Sequence, residues 1–366
     1  MALEQSLRIT LIVSNLAGGG AEKAMVKMAT LLSARGHRVD VLLLEDRREH
    51  VVPPEVRVTA LSAPGKLSHG WFGKRRAAWR LRRFLEAKPW PDLIVSTLPF
   101  ADEICHIARL DRHWCRIANT LSAEISGLAR ADRTRAARRR ARYVSMYAHH
   151  PLIAVSQGVA DDLRKEFGLD TRIAVIPNPF DLDAIRGQAL QATPELPARP
   201  YVIHVGRFAP QKRHDLLLDA WTRLPMAPDL VLLADPDPSL RAMITERGLE
   251  KRVHIAGFRP NPYPWMASAR LLVLCSDHEG LPNVLLEAMA CGTPVVSTDC
   301  PSGPAEILRG LPECLVPCGD ANALAATVAS VLLAPPDLTR MDFAPYHPER
   351  VACAWEALAS ASRVPA

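Results

Sequence analysis

Short apolar runs and stretches of helical period alternate along nearly the whole chain. The alternation stops once in the middle and then starts again. "RITLIVS" leads through "NLAGGG" into a helix expected over about 21–34 and closed by Gly36, and "RVDVLLL" follows as a strand. Further strands are expected at 92–96, 115–119, 152–155 and 173–176, with helices between them. Strand-helix-strand order of this kind builds parallel sheets. "VIPNPFDLDAIRGQALQATPELPARP" breaks the rhythm with prolines and reads as a linker. Beyond it, strands are expected at 201–205, 229–233, 252–255, 271–275, 293–297 and 313–316, and "PERVACAWEALASA" as a terminal helix. The expected architecture is α/β, with two doubly wound domains over 1–180 and 200–346. A linker over 181–199 joins them, and a helix over 347–366 is placed to cross back to the first domain. Open sheets of this class bind ligands outside the carboxyl ends of their strands, so a cleft between two such edges is expected.

A chain of 366 residues is long enough for two such cores. No stretch reaches the roughly 18 uninterrupted apolar residues of a membrane span. "MALEQSLRITLIVS" has no basic leading region and reads as a first strand rather than a signal peptide. The eight cysteines are scattered. Cys275 and Cys291 sit in apolar surroundings, and Cys314 and Cys318 lack the second pair a zinc site needs. Reduced thiols in a cytoplasmic protein are the expectation.

The chemistry concentrates in "SDHEGLPNVLLEAMACGTPVVS", residues 276–297, which follows the apolar run 271–275. Gly280-Leu281-Pro282-Asn283 stands where strand becomes helix. Gly280 allows a tight turn and close approach of a ligand, and Pro282 suits the first helical position. The free N–H groups at such a helix start attract anions, phosphate above all. Glu279 stands at the mouth, and Glu287 about five residues inside the helix, roughly 7 Å along its axis. Two carboxylates beside a phosphate make sense as acceptors for hydroxyl groups. A nucleoside diphosphate sugar offers hydroxyls at both ends, on the sugar and on the ribose. The opposing charge comes from "HVGRFAPQKRHDLLLDAW", where Gly206-Arg207 ends a strand and Lys212 opens the next helix. Arg and Lys in a neighbouring loop can clamp a diphosphate, so no metal and no cofactor are called for.

"EGLPNVLLEAMACGTPVVSTDCPSGPAEIL", "VGRFAPQK" and "GGGAEKAM" resemble the retaining, nucleotide-sugar-dependent glycosyltransferases of family 4, with the GT-B fold. The resemblance runs in order over nearly the whole chain, through "LIAVSQGVADDL" and "VIPNPFD". It implies that Glu279 contacts donor-sugar hydroxyls and Glu287 the ribose. It further implies that Arg207 and Lys212 meet the diphosphate, that Gly20 approaches it from the first domain, and that backbone around Gly257-Phe258 walls the base. Gly206, Gly280, Leu281, Pro282 and Asn283 complete the donor set, with Glu279, Arg207 and Lys212 as its catalytic members. The implied reaction moves a sugar, with retention, from a UDP-sugar to a sugar acceptor linked to polyprenyl diphosphate, in surface glycan synthesis. Many relatives carry a His near the reacting centre, where "RIANTLSAEIS" offers Asn119, Thr120, Ser122 and Glu124. Gly19, Glu22, Asn119 and Ser122 are therefore the acceptor-side candidates. Glu22 is equally explained as a favourable charge at a helix start.

Charge is uneven along the chain. Residues 1–180 carry 29 of the 45 Lys/Arg and 18 of the 39 Asp/Glu, which leaves 16 and 21 for residues 181–366. The halves are thus +11 and −5. Segments 74–88 and 130–142 each hold seven cations and one carboxylate, a pattern that faces an anionic partner. In "GKRRAAWRLRRFLEAK", Ala77, Leu81, Phe84 and Leu85 can share one face. Arg75, Arg76, Arg80 and Arg83 lie beside that face, with Trp79 available to an interface. Docking on the anionic inner face of the cell membrane, or capture of a lipid-linked diphosphate, is the expectation. Nucleic acid is disfavoured, since no zinc finger, helix-turn-helix or aromatic stacking sheet is recognisable. Asp235-Pro236-Asp237 imitates a metal-binding Asp-x-Asp but sits in a proline-rich turn where Asp commonly caps a helix. Two other readings stay open: a UDP-sugar 2-epimerase of the same fold, and a non-catalytic module that binds nucleotide sugar or nucleic acid.

Overall fold

The computed structural model describes residues 6–17, 19–49, 52–62 and 70–363. The chain divides into two compact units. One comprises the residues up to Pro179 together with those from Ala344 onward; the other is Phe180–Phe343.

In the first unit, the described strands are β1 (Arg8–Val13), β2 (Arg38–Leu43), β3 (Arg57–Ala60), β4 (Leu93–Thr97), β5 (His113–Ile117), β6 (Leu152–Ala154) and β7 (Ile173–Val175). They form one sheet in the order β3-β2-β1-β4-β5-β6-β7, and every pairing is parallel. β5 begins two residues before the expected 115, and β3, "RVTA", was not expected at all. Its four residues are exposed or half-buried, so no apolar run announces it. Both faces of β1 are covered. Ile9, Leu11 and Val13 pack with Met25 and Leu32 of the helix Gly20–Ala34, and Ile12 packs with Leu81 and Ile104 on the opposite side. A strand covered on both faces reads as a continuous apolar run, as β1 does.

The terminal helix Pro348–Arg363 belongs to this same unit. Val351, Ala352, Trp355, Leu358 and Ala359 are buried among Met25, Met28 and Leu32. Glu356 fixes it from the rim, accepting from Arg35 Nε at 2.6 Å and lying 2.8 Å from His37 Nε2.

The second unit holds β8 (Tyr201–Val205), β9 (Asp229–Leu233), β10 (Val253–Ile255), β11 (Leu271–Leu274), β12 (Val295–Thr298) and β13 (Leu315–Val316). Their order is β10-β9-β8-β11-β12-β13, again parallel throughout. The segment 181–199, expected as a linker, contains the helix Leu182–Ala189. The Asp181 carboxylate caps it by accepting from Ala184 N–H at 2.9 Å, Ile185 is buried, and Arg186 Nε donates to the Ala290 carbonyl. One buried apolar residue in eight gives almost no periodic signal, which is why the sequence reads as a connector.

Candidate functional site

In the second unit the strand order reverses between β8 and β11: β9 follows β8 on one side, and β11 pairs on the other. Loops leaving the carboxyl ends of two such strands diverge and open a crevice, the usual ligand position in an open α/β sheet. Those two loops are the ones carrying Gly206 to Lys212 and Ser276 to Pro282.

Beyond β8 the chain passes Gly206 and the exposed Arg207 into a single 3-10 turn, Pro210–Lys212. A Cβ on Gly206 would stand 3.6 Å from Lys212 Cδ, so the bare glycine leaves its surface to the lysine stem. Lys212 Nζ then donates to Glu279 Oε1 at 2.6 Å. Glu279 is 8% exposed, and an ion pair this sheltered holds its geometry better than a surface one. An ammonium has three donors, so two remain for another acceptor. Arg207 takes part in no ion pair among the described residues and has no such tether.

The Gly280-Leu281-Pro282 turn leads into the helix Asn283–Ala290. Pro282 is the residue before the helix, in extended conformation, rather than its first helical residue as expected; Asn283 holds that place. Glu287 is four residues further on, about 6 Å along the axis. It accepts from Tyr263 OH at 3.4 Å, and burial together with Glu287 pushes the Tyr263 phenol up. The turn rests on Gly303, at φ 68. A Cβ there would collide with Pro282 Cδ and stand 2.9 Å from the Gly280 carbonyl oxygen. Gly257, at φ 81, precedes Phe258, which is more than half exposed.

Beneath Lys212 lie two buried imidazoles, His204 and His214, with ring centroids 4.7 Å apart. His204 Nδ1 meets the Val273 carbonyl at 2.9 Å. Burial, the neighbouring imidazole and Lys212 push His204 well down, and burial followed by Lys212 brings His214 to about 4. Both are therefore neutral at physiological pH. Asp237, of the Asp-x-Asp imitation, accepts from Ser239 N–H at 2.8 Å and caps the helix Pro238–Thr245.

In the first unit, Gly19 and Gly20 open the helix that follows β1 and are exposed, whereas Glu22 is 7% exposed. Asn119 and Ser122 are half-buried beyond β5. The Asp162 carboxylate accepts from the N–H groups of Leu121 and Ser122 at 3.1 and 3.2 Å, capping the helix Leu121–Ala131. Glu124 is engaged by Arg139 at 2.7 Å and Tyr143 OH at 3.1 Å. No pattern in the sequence marks Arg116, a guanidinium inside β5 that is 4% exposed. It donates to Thr97 Oγ1 at 3.3 Å and to Asn178 Oδ1. Burial lowers it to about 10 against the pull of Asp102 and Glu22. Glu22 thus has an electrostatic partner in the core as well as a place at a helix start.

The basic segment 74–88 lies mostly in the helix Trp71–Glu86, which buries Ala77, Ala78, Leu81 and Leu85 and leaves Phe84 half-buried. Its outer side carries Trp71, Phe72 and Trp79, 61, 81 and 59% exposed. Arg75 lies over the Trp71 ring at 4.9 Å and Arg83 over Trp79 at 5.2 Å. Arg76 is exposed and Arg80 half-buried. Among the described residues no helix is long and apolar enough to cross a membrane.

Two parallel α/β units, one with acidic and basic side chains meeting at a switch point, define the GT-B class. Comparison with known proteins agrees. The model "Glycosyltransferase Family 4" matches residues 18–184, and "Glycosyl transferases group 1" matches 199–333. The chain belongs to the family 4 glycosyltransferases. It is 35% identical over 156 residues to the N-acetylgalactosamine-N,N'-diacetylbacillosaminyl-diphospho-undecaprenol 4-alpha-N-acetylgalactosaminyltransferase of Campylobacter jejuni. That match covers 42% of this chain and 42% of the relative. The lipopolysaccharide core biosynthesis glycosyltransferase LpsE of Rhizobium meliloti is 27% identical over 323 residues, 86% of each chain. Among solved structures, Anabaena HepE in complex with UDP-glucose superposes with a TM-score of 0.68 at 21% identity, covering 97% of this chain and 99% of that one.

Proposed function

We propose that this chain transfers a hexose from a UDP-sugar to a sugar acceptor carried on a lipid diphosphate, with retention of configuration, in the synthesis of a surface glycan. The carrying observation is the Lys212–Glu279 pair at the switch point, with Glu287 in the helix that follows Glu279. In this reading Glu279 accepts hydroxyls of the donor sugar and Glu287 those of the ribose. Two Lys212 N–H donors, Arg207 and the backbone N–H groups beyond Gly280 meet the diphosphate. As the bond from C1 of the sugar to the β-phosphate oxygen breaks, negative charge grows on that phosphate. Lys212 and Arg207 stabilise it more in the transition state than in the ground state. The acceptor hydroxyl attacks C1 from the face the phosphate is leaving, and its proton passes to the departing phosphate oxygen. No side-chain nucleophile is required. Glu22, Gly19, Asn119 and Ser122 are assigned to the acceptor side, and Gly20 and Gly257-Phe258 to the donor's diphosphate and base.

Relatives named for lipid-diphosphate and lipopolysaccharide acceptors support the acceptor class, and the UDP-glucose complex supports the donor class. Nothing in the two family matches favours an epimerase. We assign the helix Trp71–Glu86 to peripheral docking on anionic lipid at the inner membrane face. Its exposed Trp and Phe among Arg side chains suit a lipid interface. The test is incubation with a panel of UDP-sugars and a membrane lipid extract, with products read by mass spectrometry. A mass increment of one hexose or N-acetylhexosamine on a lipid-linked species is expected. Conversion of the sugar nucleotide without acceptor would restore the epimerase, and donor binding without turnover would leave a binding module.

A further inference from the structure

We propose that Arg213 is a positioning residue for the donor site, locking the loop after β8 to the loop after β11 so that Lys212 is delivered onto Glu279. The inference rests on the donor-site reading above.

Arg213 adopts φ 49 and ψ 50, a left-handed conformation that glycine takes freely and side chains disfavour. What holds an arginine there is its fork. Nε donates to Asp215 Oδ1 and Oδ2 at 3.0 and 3.1 Å, Nη2 to Asp215 Oδ2 at 2.9 Å, and Nη1 to Asp277 Oδ1 at 2.8 Å. Asp215 is in the helix after β8 and Asp277 in the loop after β11, so one guanidinium ties both sides of the crevice. Further bonds follow the same line. Asp277 N–H donates to the Gln211 carbonyl at 2.9 Å, Gln211 Nε2 to the His278 carbonyl at 2.6 Å, and Cys275 Sγ to the Lys212 carbonyl at 3.1 Å. Gln211, Lys212 and Arg213 are thus pinned to Cys275, Asp277 and His278, just ahead of Glu279. A flexible lysine stem anchored at its backbone reaches a narrow volume, and the 2.6 Å contact with Glu279 lies within it. A planar, multiply bonded guanidinium fixes geometry in a way an ammonium does not.

The test is isothermal titration of the full chain with UDP and, separately, UMP, on Arg213→Gly, Asp277→Asn and their combination, with Lys212→Ala alongside. Glycine fits the backbone conformation, and Asp277→Asn leaves that backbone untouched, so a folded variant is available either way. Each single change is expected to weaken UDP about tenfold while leaving UMP within about twofold, and the combination to cost no more than either alone. Arg213→Lys, with charge but no fork, should recover little. Equal losses on UDP and UMP would indicate mere loosening, and unchanged UDP affinity or additive losses would equally overturn the lock. If Lys212→Ala leaves UDP binding intact, the donor-site reading itself falls. If it weakens UDP while Arg213→Gly and Asp277→Asn do not, only the lock falls.

Discussion

Lys212 Nζ and Glu279 Oε1 meet at 2.6 Å across 67 positions of sequence, each delivered by the loop that follows a neighbouring parallel strand. Under the proposed function, the pair lets acidic groups stand beside a diphosphate, because the lysine neutralises the glutamate and keeps two further donors.

Removing either partner should therefore abolish transfer without unfolding the chain. Glu279→Ala and Lys212→Ala are each expected to lower kcat/KM by about 100-fold or more, the scale of losing one charge-stabilising group in a transition state. The far-ultraviolet dichroism should be unchanged. Initial rates of product formation check it, and wild-type turnover in Glu279→Ala would remove that residue from the site.

Gly303→Ala should damage the same site from below. The new methyl collides with Pro282 and crowds the Gly280 carbonyl, and the backbone is at positive φ. A stability loss of about 1–2 kcal/mol is expected from the conformation alone, with donor KM raised. Urea unfolding read beside donor titration measures both. A variant with native donor KM would show that the turn tolerates displacement.

Docking through the helix Trp71–Glu86 predicts two separable losses. Reversing Arg75, Arg76, Arg80 and Arg83 to Glu removes attraction of about 1 kcal/mol per basic residue at an anionic surface. It should abolish co-sedimentation with phosphatidylglycerol vesicles at low salt. Replacing Trp71, Phe72 and Trp79 by Ser should leave that low-salt binding but lose what survives at high salt, since apolar insertion is not screened. Unchanged sedimentation in both variants would defeat this assignment.

Stability should fall as the pH is lowered from about 6.5 toward 4. His106, His113, His150, His204 and His214 are all held below their ordinary value, His150 and His214 near 4, with burial the main cause. Between those values the unfolded chain binds protons that the folded chain does not, so unfolding is favoured as the solution becomes more acidic. Asp102, raised to about 7 by burial, and Asp162, also raised by burial, work in the opposite sense, because their folded carboxyls retain protons that the unfolded ones release. Five imidazoles against two carboxyls set the direction. Denaturant midpoints between pH 7 and 5 test it, and a midpoint that rose on acidification would refute it.

The two sheets were legible because most strands, β1, β4, β6, β8, β9, β11 and β12 among them, are buried along nearly their whole length and read as near-continuous apolar runs. β3 was not, because its side chains are half in water. Glu279, Lys212 and the glycine turn were legible as a spacing. What the spacing could not carry was support from afar: Gly303 under the turn, Tyr263 on Glu287, Asp277 on Arg213. Each lies far along the chain from the residue it supports, and one sequence has no local pattern for that. Arg116 escaped for a different reason. A cation inside a strand looks like an interruption until Thr97, Asn178 and Asp102 are brought around it.

The terminal helix has a consequence for how the molecule is made. Its Trp355 and Leu358 fill the core of the unit formed by the residues up to Pro179, so that core stays open on the ribosome until residues 348–363 have been translated. The second unit, encoded in one uninterrupted stretch, can mature first, against the usual N-terminal lead. A chain truncated near residue 343 would carry a completed second unit and leave Met25, Met28 and Leu32 without their cover.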